Sequence, residues 1–334
     1  MVKVTATTFR GIEGLSIEDQ CLKAVILPSI GGKMTSLQRK ASGREWLWQD
    51  PGDLLRIPPY GAPLPEYDIG GFQECFPTIN ECYYPEQPWR GVVVPDHGEV
   101  WALPWDVETS EDGIHLWVYS VRFAYRLDKW LHFSDDGRLT IQYELASLAP
   151  FDFKYLWSAH PALNLQPGMK MLLPQGTRLR CEFSDHRRLG EMGSLHEWPV
   201  TRDAAGSAVD LSVVQTRAAR THDKLNTAGL TAGWCAVYDP PSGEYLAYTF
   251  SLAEIPYAGY WLIQGGWPLQ GEPYLVGGFE PCTGYPGPLD SAIAWGGHSV
   301  LLARGVRRWT LTVHIGRAES EASLIKQLSQ SEPG

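Results

Sequence analysis

Residues 70–105 read GGFQECFPTINECYYPEQPWRGVVVPDHGEVWALPW, which sets Glu74, His97 and Glu99 among Phe72, Phe76, Tyr83, Tyr84, Trp89, Trp101 and Trp105. Carboxylates and an imidazole exchange protons and accept or donate hydrogen bonds, while aromatic rings offer flat apolar platforms. A molecule with hydroxyl edges and C–H faces, a carbohydrate, needs both kinds of group. If the backbone is extended through His97 and Glu99, their i, i+2 spacing puts both side chains on one face of a sheet. Such a pair could grip a sugar hydroxyl or a metal ion.

Two later segments carry further candidates: WSAHPALNL at 157–165, with His160, and GGFEPCTGYP at 277–286, with Glu280. Glu280 interrupts an apolar, glycine-rich run, where a carboxylate is costly unless it is paired. Its bland reading is a salt bridge to Arg304 or Arg307. A histidine in an apolar run is more often a satisfied core residue than a catalyst, and His115, His132, His298 and His314 read as strand residues without chemistry. There is no HExxH, no GxSxG, no GK[ST] phosphate loop and no dinucleotide glycine fingerprint in the sequence. Acid–base chemistry by carboxylate and imidazole is what survives.

The elements that must position these groups read as strands. Short runs of alternating apolar and polar residues, bounded by Gly, Pro, Asn and Asp, recur at 114–125, 130–133, 139–145, 234–238, 245–250, 260–264 and 309–315. The Ser-Asp-Asp-Gly step at 134–137 and the turn at 240–243 predict tight hairpins. With 34 Gly and 25 Pro, long helices have little room, and the best candidate is 319–328. The polar stretch 184–224 reads as long loops with a short helix. The fold class expected is all-β: one large antiparallel β-sandwich domain over 1–334 with few short helices.

Composition narrows the partners. The 334 residues hold 28 basic and 38 acidic side chains, a formal charge of −10, which disfavours nucleic acid and anionic membrane surfaces. Six cysteines lack CxxC spacing, so neither a zinc site nor a redox motif is indicated. No apolar leader opens the sequence and no run of about 18 apolar residues occurs. These features predict a soluble, cytoplasmic protein with reduced thiols and a small-molecule sugar partner.

Taken together in order and spacing, the motifs resemble the aldose 1-epimerase family of galactose mutarotase-like β-sandwich proteins, nearly end to end. LPSIGGKMTSLQRKASGREWLW at 27–48 is similar to the family's opening strands, FPTIN at 76–80 with DHGEVWALPW at 96–105 to its Phe-Pro-x-x-Asn and His-Gly pair, HPALNL at 160–165 to its His-x-x-x-Asn-Leu segment, and FEPCTGYPGPLDSA at 279–292 to its Glu-Pro segment. The resemblance implies an isomerase that interconverts sugar anomers without metal or cofactor. It implies Glu280 as general base at the anomeric hydroxyl, His160 as general acid at the ring oxygen and His97 as a substrate contact. Glu74, Glu99, Asn80, Trp157 and Lys224 are the further substrate-binding candidates.

The departures mark a divergent member. Asn80-Glu81 stands where the family has Asn-Arg, Cys282 stands where glutamine is common after Glu-Pro, and the binding aspartate has no clear counterpart, with Asp223, Lys224 and Asp239 in the right part of the chain. Two other readings stay open. One is a carbohydrate-binding or sensing protein that has lost rapid chemistry; the other is a lyase or metal-assisted isomerase on the same scaffold, with Glu74, His97, Glu99 and His160 as ligands.

Overall fold

The computed structural model describes residues 2–52, 54–134 and 138–330. Among them the chain is built of large antiparallel sheets, with two α-helices, Leu289–Trp295 and Glu321–Gln330. It packs as two compact units, Met1–Pro161 with Cys282–Leu311, and Ala162–Pro281 with Thr312–Gly334.

In the first unit, one run of neighbouring strands is Lys3–Phe9, Ile12–Glu18, Leu22–Leu27, Lys33–Arg39, Gly71–Cys75 and Ser158–Ala162. A second run is Asp106–Thr109, Gly113–Tyr119, Tyr125–Phe133 and Arg138–Ser147. Period-2 alternation orients them: Tyr125, Leu127, Leu131 and Phe133 are buried, while Arg126, Trp130 and His132 between them are half-buried. Lys129 follows the inward phase although it is charged. It crosses between the layers, its Nζ donating to the Gly32 carbonyl at 2.9 Å and to Glu74 Oε1 at 3.2 Å. Tyr143 Oη donates to the same carboxylate oxygen at 2.9 Å, and Trp157 Nε1 donates to Oε2 at 3.0 Å. Burial pushes the Lys129 ammonium's pKa down, against the pull of Glu74.

In the second unit the strand order is Leu275–Cys282, Tyr257–Gln264, Thr221–Thr227, Arg178–Ser184 and Leu195–Glu197, with a further set Lys170–Leu172, Trp234–Asp239 and Glu244–Phe250. The Glu321–Gln330 helix lays Leu324 and Leu328, one turn apart, into a cluster with Trp234, Tyr238 and Tyr245.

The strands sequence patterning marks are present, with differences that have local causes. The run 114–125 is two strands, because the chain turns between Tyr119 and Tyr125 and Ser120 N–H closes on the Tyr125 carbonyl at 3.1 Å. That turn contains no Gly, Pro or Asn and so is invisible to turn chemistry. Residues 130–133 are the end of the longer strand Tyr125–Phe133. The stretch 184–224 holds three short strands, Leu195–Glu197, Val200–Arg202 and Ala208–Asp210, and the start of Thr221–Thr227. The turn at 240–243 joins paired Asp239 and Glu244 as expected. Asp135, Asp136 and Gly137 of the other hairpin lie outside the described residues. No helix among the described residues is long and apolar enough to cross a membrane.

The Lys129–Glu74 pair is 2% and 0% exposed, so removing one member strands a buried charge. Lys129→Met is expected to lower the unfolding free energy by about 3–5 kcal/mol in urea titrations, and the double change Lys129→Met, Glu74→Leu to recover only part of that loss, because Tyr143 Oη and Trp157 Nε1 then lose their acceptor.

Candidate functional site

The first unit brings His97 and His160 together. His160 sits within the strand Ser158–Ala162, whose Ser158 pairs antiparallel with Cys282, and is 5% exposed. His97 approaches from a loop, and the two rings meet edge to face with centroids 5.2 Å apart.

The loop is not the extended segment its i, i+2 spacing suggests. His97 has φ of +57° and Gly98 φ of +78°, and Glu99 is in the right-handed helical region before a short 3-10 turn, Val100–Ala102. A left-handed non-glycine residue is uncommon and is held only when its surroundings demand it. Here they do. His97 N–H donates to the Ile79 carbonyl at 2.6 Å and Glu99 N–H to the Phe76 carbonyl at 2.7 Å. A Cβ at Gly98 would collide with the Phe76 carbonyl oxygen.

Glu99 therefore faces away from the shared side predicted for it. Tyr60 Oη donates to Oε1 at 2.7 Å, Arg122 N–H to Oε1 at 3.0 Å and Tyr125 Oη to Oε2 at 2.8 Å. Burial raises its pKa against these donors. Its role is to anchor the loop from behind. Asp96, which residue typing alone passes over, acts in front: its Oδ2 lies 2.9 Å from His97 Nδ1 and accepts the Leu64 N–H at 2.9 Å. Burial opposes ionisation of Asp96, but the hydrogen bond and charge of His97 outweigh it and hold the carboxyl below the usual carboxylate range. The adjacent Asp-His pair in the sequence was the available signal.

Other candidates are placed differently. Glu74 and Trp157 meet each other in the core network described above, both fully buried, and do not face open surface. Asn80 is exposed, and its backbone N–H donates to the Gly287 carbonyl at 3.1 Å. Among the described residues no group of three or more His, Cys, Asp or Glu side chains gathers as a metal site, so Glu74, His97, Glu99 and His160 do not form the ligand set considered from sequence.

The second unit holds Glu280, 1% exposed, ion-paired not with Arg304 or Arg307 but with Lys224. Along Thr221–Thr227 the side chains alternate faces, so His222, Lys224 and Asn226 share one side. Trp261 Nε1 donates to His222 Nε2 at 3.2 Å, which requires that nitrogen to be unprotonated; burial likewise lowers the His222 pKa. Asn226 Nδ2 donates to Glu182 at 2.7 Å. Asp223, on the opposite side, is buried and held by Arg188 and by Ser184 Oγ at 2.6 Å. Asp239 accepts the Ser242 hydroxyl at 2.6 Å across its hairpin turn.

No protein-family model matches the chain, and no curated relative matches it. Solved structures do. A protein from Klebsiella pneumoniae, provisionally named an aldose 1-epimerase, superposes with a TM-score of 0.74 at 13% identity, over 98% of this chain and 87% of its own. A galactose mutarotase-like protein from Lactobacillus casei gives 0.65 at 17%, covering 91% and 100%. This chain has a galactose mutarotase-like fold. An Escherichia coli K12 protein, also provisionally named an aldose 1-epimerase, matches at 0.66 and 16% identity, over 95% and 100%. At such identities the galactose mutarotase-like fold is what is shared, and the chemistry must be argued from the side chains.

Because Asp96 ionises more readily in the folded chain than its ordinary value of about 3.9, its contribution to stability is complete above that value and is lost as the pH falls through the folded-state value. The difference in urea-unfolding free energy between wild type and Asp96→Asn is expected to be present at about pH 6 and to vanish near about pH 2.

Proposed function

We propose that the protein is an aldose mutarotase, an isomerase that interconverts sugar anomers with Glu280 as general base and His160 as general acid. Glu280 takes the proton of the C1 hydroxyl as the bond from C1 to the ring oxygen breaks, and His160 delivers a proton to that oxygen. The products of this step are an open-chain aldehyde, a neutral Glu280 and a neutral His160. Rotation about C1–C2 and reclosure with both transfers reversed give the other anomer and restore the starting protonation states. His97, held by Asp96, is the substrate contact beside His160.

The observation that carries this reading is the His97–His160 approach, in which a left-handed loop residue is braced on both sides to meet a buried strand histidine. The galactose mutarotase-like fold and the His-x-x-x-Asn-Leu and Glu-Pro segments support it. Glu74, Glu99 and Trp157 enter as the frame. A carbohydrate-binding role without turnover is the second reading, favoured by Glu81 standing where the family places an arginine.

Magnetisation-exchange NMR over a panel of neutral, acidic and phosphorylated aldoses tests the choice. Wild type is expected to accelerate anomer exchange of at least one sugar, with Glu280→Gln and His160→Asn each slower by about 10²–10⁴-fold while still folded under the assay conditions, as far-UV circular dichroism checks. Full activity in Glu280→Gln would reject the assignment. Sugar binding with no acceleration for any panel member would establish the second reading.

A further inference from the structure

The strand Leu275–Cys282 is buried at every residue, and Glu280 within it is 1% exposed. Withdrawal from water disfavours the charged form of a carboxyl group, and a neutral carboxylic acid cannot serve as a base. A base in this position needs a counter-charge, and the second unit supplies one. Lys224, on Thr221–Thr227, donates from Nζ to Glu280 Oε2, and its side chain is 12% exposed.

The two residues are not on adjacent strands. Tyr257–Gln264 lies between theirs, and the pair meets across it at Gly259. A Cβ there would stand 3.1 Å from Glu280 Oε2, 3.1 Å from Lys224 Nζ and 3.3 Å from Glu280 Cβ. These separations are shorter than the roughly 3.5–4.0 Å at which carbon contacts are comfortable. Any side chain at 259 therefore presses on both members at once. Two residues along the same strand, Trp261 is opposite Lys224 in the register, so the opening is confined to one position.

We propose that Lys224 is the positioning residue for the catalytic carboxylate, keeping Glu280 ionised and oriented, and that Gly259 is the gap through which the two meet. This rests on the reading of Glu280 as the base. Lys224 then acts through Glu280, in contrast to its sequence-derived role as a sugar contact, and in contrast to an ion pair that only holds strands together.

The three roles separate in kinetics with a sugar that wild type turns over. Lys224→Ala is expected to lower kcat by about 10–100-fold with KM changed less than about 2-fold. Ethylammonium, which fits the truncated side chain's space and charge, should restore several-fold of that loss, and ethanol of similar size should restore none. Lys224→Arg should recover much of kcat through its retained charge. Gly259→Ala keeps both charged groups yet wedges them apart, and is expected to lower kcat several-fold on its own.

A raised KM with unchanged kcat would make Lys224 a substrate contact and overturn the proposal. Unchanged kcat in Lys224→Ala, or a loss that ignores ethylammonium and follows a fall in melting temperature, would overturn it as well. A wild type inactive toward every aldose would reject the mutarotase reading and this inference with it. An active wild type with an unaffected Lys224→Ala would reject this inference alone.

Discussion

A carboxylate taken out of water must be met by donors or by opposite charge, and this demand organises both units. Glu74, Glu99, Asp223 and Glu280 are each 1% exposed or less. Glu74 is met by Lys129, Tyr143 and Trp157, Glu99 by Tyr60, Tyr125 and a backbone N–H, Asp223 by Arg188 and Ser184, and Glu280 by Lys224. Each set of donors comes from strands or loops distant in sequence, so satisfying the charge also fixes which segments lie together. The aromatic side chains serve the same end, since tyrosine hydroxyls and the tryptophan indole are buried where a carboxylate can receive them.

The site inherits its precision from that arrangement. His97 stands in an unfavourable backbone conformation because Glu99 is pinned behind it and Gly98 leaves no room for another path past Phe76. Asp96 then holds the imidazole's Nδ1 side. A histidine on a free loop would sample many orientations; this one is confined by its own surroundings.

The fold class was legible in sequence because it rests on a local pattern, the alternation of the strands, while HPALNL and FEPC single out His160 and Glu280 only as candidates. What was not legible is how charges find one another. Period-2 alternation on the observed strand puts Lys129 on the inner face but cannot say that Glu74 awaits it, and neither the carboxylate–aromatic mix nor the family resemblance reveals that Glu74 and Trp157 bond to each other. The i, i+2 spacing read His97 and Glu99 as neighbours on one face because nothing in PDHGEV announces a left-handed histidine. The value of Gly259 is likewise a property of two side chains reaching across a strand, with no trace in the residues flanking it.

The two units are interleaved along the chain. Each is assembled from two separated lengths of chain, and the boundary between Leu311 and Thr312 falls inside a continuous strand, Val306–Arg317. No single contiguous stretch encodes either unit whole. A foreign segment spliced in at the Leu311–Thr312 boundary would interrupt that strand's ladder, so neither unit can be lifted out of the chain as one uninterrupted fragment.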